Sequence, residues 1–320
     1  MSQKKKNYKT ILAIETSCDD TSIGIIKNHK IVANVTRTKF ADHKNYGGII
    51  PEYASRNHAK HLNCLLNDAL KIAKLKAKDI DCAAYTSTPG LIGCLHTGKV
   101  FAHTLSYLLD KPLIKVDHMI GHAFSFCIDK QNIVKFPFLC LDASGGHTII
   151  YLFNDYDSYI VINETHDDAI GETLDKVGRM LNLPYPGGIS IDKIYDDKKA
   201  TLPLIKHYEP TQNFSFSGVK TYINNMIHNL KQKQQKIDKV TIASSFLKWC
   251  VDEVMIKLQH YCKCYKVNYL TVAGGVAANS ALRKALSSLK SKVYIADKKY
   301  CGDNAAMIAN YADLLVNHQK

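Results

Sequence analysis

The two halves of this chain follow one plan, and that repetition constrains the fold more than any single motif. TILAIET, residues 10–16, is an apolar, β-branched run that stops at the polar turn SCDD and is followed by SIGIIK and KIVANVT. FPFLCLD, residues 136–142, stops at the turn SGGH and is followed by TIIYLF and YIVINET. Short runs of this kind bounded by turn residues read as strands. In each half, helical periodicity follows, then a lone apolar run, a glycine turn and a further helix. The pieces are DCAAYTS, PGLIG and CLHTGKVFAHTLSYLL in the first half, and NYLTVAG, the pair Gly274-Gly275 and VAANSALRKALSSL in the second. Strands alternating with helices predict an α/β protein, here two pseudo-duplicated lobes with mixed β-sheets and flanking helices. A length of 320 residues fits two domains of about 150 each. The polar stretch IDKQNIVK places the expected boundary between lobes 1–132 and 133–320.

Composition narrows the setting. Hydrophobic residues make up 46% and charged residues 22%. Both shares are ordinary for a soluble globular chain. The longest apolar runs fall short of the roughly 18 residues needed to span a bilayer. The opening MSQKKKNYKT has no apolar signal segment, and the ten cysteines contain no CxxC, so a cytoplasmic protein with reduced thiols is expected. The net charge of +13 fits either a polyanionic partner such as nucleic acid or a lysine-rich solvated surface.

Four turns at strand ends are candidates for chemistry, because ligands in α/β sheets gather at the carboxyl ends of strands. ETSCDDT (15–21) offers Asp19 and Asp20, either as a base or metal–phosphate site or as a solvated turn. TSTPGLIG (86–93) offers backbone N–H groups for an anion, or a plain turn. ASGGHT (143–148) and VAGGVAANSALRKAL (272–286) bring paired glycines that permit close backbone approach, with Asn279 expected in the first turn of the following helix. LPYPGGISIDK (183–193) ends near Asp192, and NFSFSGVKTY (213–222) fills a connection. VDHMIGH (116–122) places His118 and His122 four apart, which on a helix is one face. A carboxylate from elsewhere would complete a two-histidine, one-carboxylate site for a divalent metal. Asp303, in CGDNAAMIA (301–309), is a candidate and is expected to cap its helix. Met119 follows His118, so HExxH and its general base are missing and a metalloprotease is disfavoured. His58 and His61 are a rival pair, expected to be exposed on the first long helix.

Taken in order, ten stretches resemble one family: IETSCDDT, GGIIPEYASRNHAKHL, AYTSTPGLIG, DHMIGH, SGGHT, GETLDKVGRML, YPGGISID, FSFSGVKT, AGGVAANSALR and CGDNAAMIA. The family is that of the tRNA N6-adenosine threonylcarbamoyltransferases, formerly described as O-sialoglycoprotein endopeptidases. The match runs from about residue 10 to residue 313. The resemblance implies an actin-like, sugar-kinase-like ATPase fold. It implies transfer of threonylcarbamoyl from threonylcarbamoyl-AMP to N6 of the adenosine beside the anticodon in tRNAs decoding ANN codons, with AMP released. It implies one divalent metal per subunit, iron as Fe(2+) first with zinc or magnesium as alternatives, held by His118, His122 and Asp303. Ligand contacts carry over to Asp142, Ala143, Ser144, Gly145, Gly146, Asp175, Gly188, Asp192 and Asn279, and the acidic catalytic turn to Asp19 and Asp20. Expected partners are tRNA, an adenylate-making synthase and helper subunits. The chain departs from the family pattern in CDDT for CDET, STPG for AGPG, and GDNAAMIA for TDNGAMIA. Two rivals stand beside this reading: a sugar- or acetate-type kinase, which would not need the metal triad, and a non-catalytic scaffold, in which the triad would be degraded.

Overall fold

The computed structural model describes residues 8–38, 49–130 and 133–318. The chain forms two compact units, residues 1–134 with 302–320, and residues 135–301. The boundary expected between residues 132 and 133 adjoins residues 131–132, which lie outside the described residues, and the two units divide between Val134 and Lys135. The second lobe was expected to run to residue 320, but residues 302–320 belong to the first unit.

The first unit has five strands, β1 (Thr10–Glu15), β2 (Thr21–Lys27), β3 (Lys30–Arg37), β4 (Cys82–Thr88) and β5 (Leu113–Asp117), in the order β3-β2-β1-β4-β5. β2 is antiparallel to β1 and β3, while β4 is parallel to β1 and β5. The β2–β3 hairpin turns at Asn28 and His29, both left-handed with φ of 49° and 63°. Two such residues in a row give the hairpin a twist that matches its strands. Two helices, α1 (Pro51–Ala73) and α2 (Ile92–Leu109), pack on the sheet. Pro51 starts α1, where its missing N–H costs nothing. Leu62 and Leu65 of α1 and Ala102 and Leu105 of α2 close over Leu12, Ile14, Ile23 and Ile25. Leu62 is 1% exposed. Truncating it to Ala would cost about 2–5 kcal/mol. A short helix, α3 (His118–Ala123), follows β5 directly. Its N-cap is Asp117, whose carboxylate accepts from the N–H groups of Met119 and Ile120.

The second unit repeats the sheet. Its strands are β6 (Phe138–Ala143), β7 (Thr148–Phe153), β8 (Tyr159–Glu164), β9 (Tyr269–Ala273) and β10 (Lys292–Ile295), in the order β10-β9-β6-β7-β8. Its helices are α4 (Ile170–Met180), α5 (Gly187–Ile194), α6 (Ser217–Gln232), α7 (Lys239–Tyr265) and α8 (Ser280–Leu286). On α7 the stripe Ile242, Phe246 and Trp249 is buried, as its spacing predicts. A buried pair, Lys257 with Glu253 at 3.1 Å, fastens the irregular connection before α6. Lys257 also donates to the Glu209 carbonyl at 3.1 Å and to the Gln212 carbonyl at 2.8 Å. Its buried charge is therefore both paired and hydrogen-bonded, the condition under which a core tolerates it.

The last helix, α9 (Ala305–His318), packs on β1, β2 and β3 of the first unit. Gly24 in β2 makes this possible, since a Cβ there would lie 2.7 Å from the Ala305 carbonyl carbon. This packing is why the chain's end joins the first unit. Among the described residues, no helix is long and apolar enough to cross a membrane.

Candidate metal centre and glycine-lined cavity

In the first unit three candidate ligand residues, two histidines and a carboxylate, meet at one point. β5 runs straight into α3, which places His118 and His122 one turn apart, their rings edge-on with centroids 4.7 Å apart. The loop before α9 brings Asp303, whose Oδ1 lies 3.1 Å from Nε2 of His122 and 3.6 Å from Nε2 of His118. Potential ligand atoms of the three residues all lie within 4.8 Å of one another. Asp303 was expected to cap α9. Asn304 does so instead, accepting from Met307 N at 3.2 Å. Ser22 Oγ and Asn34 Oδ1 take the N–H groups of Ala305 and Ala306. The helix end is thus satisfied without Asp303, whose carboxylate faces the histidines.

Glu15 supports this centre, and the sequence motifs do not single it out. It is fully buried at the end of β1, and its Oε2 accepts from Nδ1 of His118 at 3.1 Å. Burial pushes the Glu15 carboxyl up, but the charge and hydrogen bond of His118 outweigh it and hold it below the usual range. Thr86 Oγ1 and Ser17 N also donate to it, the latter at 2.5 Å. A carboxylate on Nδ1–H fixes the tautomer that leaves Nε2 as a lone-pair donor, the form a metal ligand needs. Its signal in the sequence is an acid ending an otherwise apolar strand.

The acidic turn between β1 and β2 is held from several sides. Thr16 Oγ1 donates to the Cys94 carbonyl at 3.0 Å, and Leu91 N donates to the Ser17 carbonyl at 2.8 Å. The N–H of Leu91, in the stretch weighed as an anion cradle, is therefore spent on the turn itself. A Cβ on Gly90 would sit 2.5 Å from the Ser17 oxygen, so glycine there serves close packing. Burial, with further pressure from Asp19, Asp303 and Glu15, pushes Asp20 up to about 7. Burial and the charge of Asp19 keep the Cys18 thiol protonated, so it is no thiolate nucleophile. His58 was expected to be exposed. It is fully buried, because Ala54, His58, Leu62, Leu65 and Ala69 form one helical stripe facing the sheet. His61 is half-buried on the same helix.

In the second unit a cavity of about 430 Å³ is lined by Gly145, Gly171, Asp175, Gly188, Asp192 and Asn279, among others. Gly145 and Gly275 each have open space where a Cβ would stand, the clearance a ligand needs. Gly274, with φ of 82°, lets the β9 turn close against Ala143, whose oxygen would lie 2.3 Å from a Cβ. Only glycine takes up that backbone conformation without strain. Asp142 and Ala143 are buried within β6, while Ser144 closes the glycine turn by accepting from His147 N at 3.1 Å. Gly146 also borders open space. Asp175 accepts from Gly188 N at 3.0 Å, and burial pushes its carboxyl up. Asp192 accepts from Ser280 N and Oγ, the latter at 2.8 Å. Asn279 was expected inside α8. It is the N-cap, its Oδ1 accepting from Leu282 N at 3.0 Å. Lys193 and Lys298 also line the cavity; Gly171 and Lys193 lie inside motif stretches without being singled out there, and Lys298 lies outside all of them.

A family model for tRNA N6-adenosine threonylcarbamoyltransferase matches residues 30–310. The chain belongs to this family. A curated member from Ureaplasma parvum is 48% identical over 315 residues, covering 98% of each chain. Another, from Staphylococcus haemolyticus, is 43% identical, covering 93% of this chain and 89% of its own. Among solved structures, full-length HypF in its phosphate- and nucleotide-bound form aligns with a TM-score of 0.64 at 13% identity, covering 98% of this chain and 47% of HypF. Such neighbours establish the fold, an actin-like, sugar-kinase-like ATPase architecture, in agreement with the duplicated sheets.

Proposed function

We propose that this transferase moves the threonylcarbamoyl group from threonylcarbamoyl-AMP to N6 of the adenosine 3′ to the anticodon in tRNAs decoding ANN codons, releasing AMP. The observation that carries this reading is the convergence of His118, His122 and Asp303 in a family member. Two imidazoles and a carboxylate suit a divalent transition metal, iron(II) in our reading; magnesium prefers oxygen ligands, and zinc is told apart by metal analysis. When bound, such an ion supplies a positive charge that polarises a carbonyl or offsets phosphate charge.

The chain's own residues do the rest. The exocyclic amine of adenine is a poor nucleophile, because its lone pair is delocalised into the ring. It must lose a proton as the carbonyl carbon is attacked. Asp20, held near neutral pH by burial, is matched to accept that proton, and Asp19 beside it keeps the turn acidic. In the second unit, Gly145 and Gly275 leave room for the adenylate, and Asp175, Asp192 and Asn279 fix the loops around it. The N–H groups of the glycine turns orient the leaving AMP. The net charge of +13 then serves phosphate contacts with tRNA. The synthase and helper subunits work beside it in the cytoplasm.

The kinase reading gives no use to the His118–His122–Asp303 cluster, and the scaffold reading expects it to have decayed. Nucleoside mass spectrometry tests the proposal. Unmodified tRNA incubated with the protein, a synthase, helper subunits, threonine, bicarbonate and ATP should gain threonylcarbamoyladenosine. Failure with a helper set verified on a related enzyme would remove the reading.

A further inference from the structure

His58 sits on a helical stripe that otherwise holds Ala54, Leu62, Leu65 and Ala69, a place where leucine would be cheaper to bury. Both of its ring nitrogens are engaged by the acidic turn. Nε2 lies 2.9 Å from the Cys18 carbonyl oxygen, and Nδ1 lies 2.7 Å from Thr21 Oγ1. A carbonyl only accepts, so Nε2 carries the proton; Nδ1 of the neutral ring then accepts from the Thr21 hydroxyl. Burial favours this neutral ring by lowering its proton affinity. The two contacts fall immediately before and immediately after Asp19 and Asp20. Asp20 Oδ1 is buried without a hydrogen bond, and the carboxyl's side-chain hydrogen bond comes from Thr38, so the backbone on either side shares its placement with that one contact.

We infer that His58 is a positioning residue for transfer: it clasps the backbone on one side of the Asp19–Asp20 pair and the Thr21 hydroxyl on the other, and so fixes where the acidic pair points. The inference rests on the reading of Asp20 as the proton acceptor. It gives a reaction-linked purpose to the first long helix, which carries no metal ligand.

The test compares His58→Leu, His58→Gln and Thr21→Val with wild type in steady-state transfer to tRNA, with Asp20→Asn run alongside. Metal content and thermal melting are measured on every variant. Leucine suits the apolar stripe, and Thr21→Val removes one contact while keeping the imidazole. Misplacing a reacting group by about 1 Å can cost about 100-fold, so His58→Leu should lower kcat by about 10- to 100-fold. KM for tRNA should stay within about two-fold, metal content should be unchanged, and the lower inflection of the pH–rate profile should move. His58→Gln, which keeps an amide donor for Cys18, should recover part of the loss, and Thr21→Val should show a smaller loss of the same kind. If Asp20→Asn is inactive while His58→Leu and Thr21→Val keep wild-type kcat per folded molecule and an unmoved profile, the inference on His58 alone is overturned. Loss that only tracks the folded fraction, with an unmoved profile, overturns it as well. If Asp20→Asn transfers normally, the base reading falls and this inference falls with it.

Discussion

The two units place opposite chemistry at equivalent points of one sheet plan. After β1 the turn is acidic and crowded, clasped by His58, Leu91 and the carboxylate of Glu15. After β6 the equivalent turn is glycine-rich, and Gly145 and Gly146 have nothing within 4 Å of a would-be Cβ. The later turns differ in the same way. Gly90, after β4, is pressed onto Ser17, whereas Gly275, after β9, borders open space. A glycine at a strand end therefore means two things in this molecule. At Gly90 in the first unit and Gly274 in the second it lets protein approach protein, and at Gly145, Gly146 and Gly275 it leaves room for a ligand.

Paired substitutions break or sharpen that contrast. Glu15→Gln removes the carboxylate behind His118 Nδ1. Loss of such a partner weakens metal affinity by about 10- to 100-fold. Metal titration of chelator-stripped protein checks this, and unchanged affinity would mean that His118 needs no support. Gly90→Ala drives a methyl against the Ser17 carbonyl. It should destabilise by about 1–3 kcal/mol in denaturant melts. Gly275→Ala, with open space at its Cβ, should stay within about 0.5 kcal/mol in the same melts. A single added methyl in a fitted pocket costs about 10-fold or more, so Gly275→Ala should instead weaken AMP binding by that factor in calorimetry. Equal stability losses at the two glycines would erase the distinction.

A further contrast lies in pH dependence. Asp20 is raised in the folded state to about 7, so the fold holds its proton more tightly than the unfolded chain does. Its contribution to stability is present below the ordinary carboxylate range and is lost as pH rises through about 7. Stripped Asp20→Asn should therefore gain melting temperature over wild type at about pH 8, and the gain should shrink toward about pH 4. A gain independent of pH would remove Asp20 as a titrating group.

Much of this is legible in the sequence, for definite reasons. The strands of both sheets show themselves as apolar runs cut by turn residues, and the HxxxH spacing puts two imidazoles on one side of α3. Asp303 stands out by resemblance and by residue type, but its neighbour Asn304 takes the cap. Both are capping residues, and only the packing of Ser22 and Asn34 against α9 decides between them. His58 reads as exposed by its charge class, yet its place on the apolar stripe of α1 is what governs its burial. The chain end reads as part of the second lobe because helix docking onto β2 depends on Gly24, a long-range contact with no local trace. Glu15 looks like the last residue of a strand, and only the fold brings His118 to it as a partner.

The most direct test of the central claim is labelled-threonine transfer into unmodified tRNA by wild type and His122→Ala, with metal measured in both. Wild type should carry one equivalent of divalent metal and label fully, and His122→Ala should lose both while still melting cooperatively. Equal labelling by the two proteins would contradict the metal-centre reading, and the histidines of VDHMIGH would then be part of the fold alone.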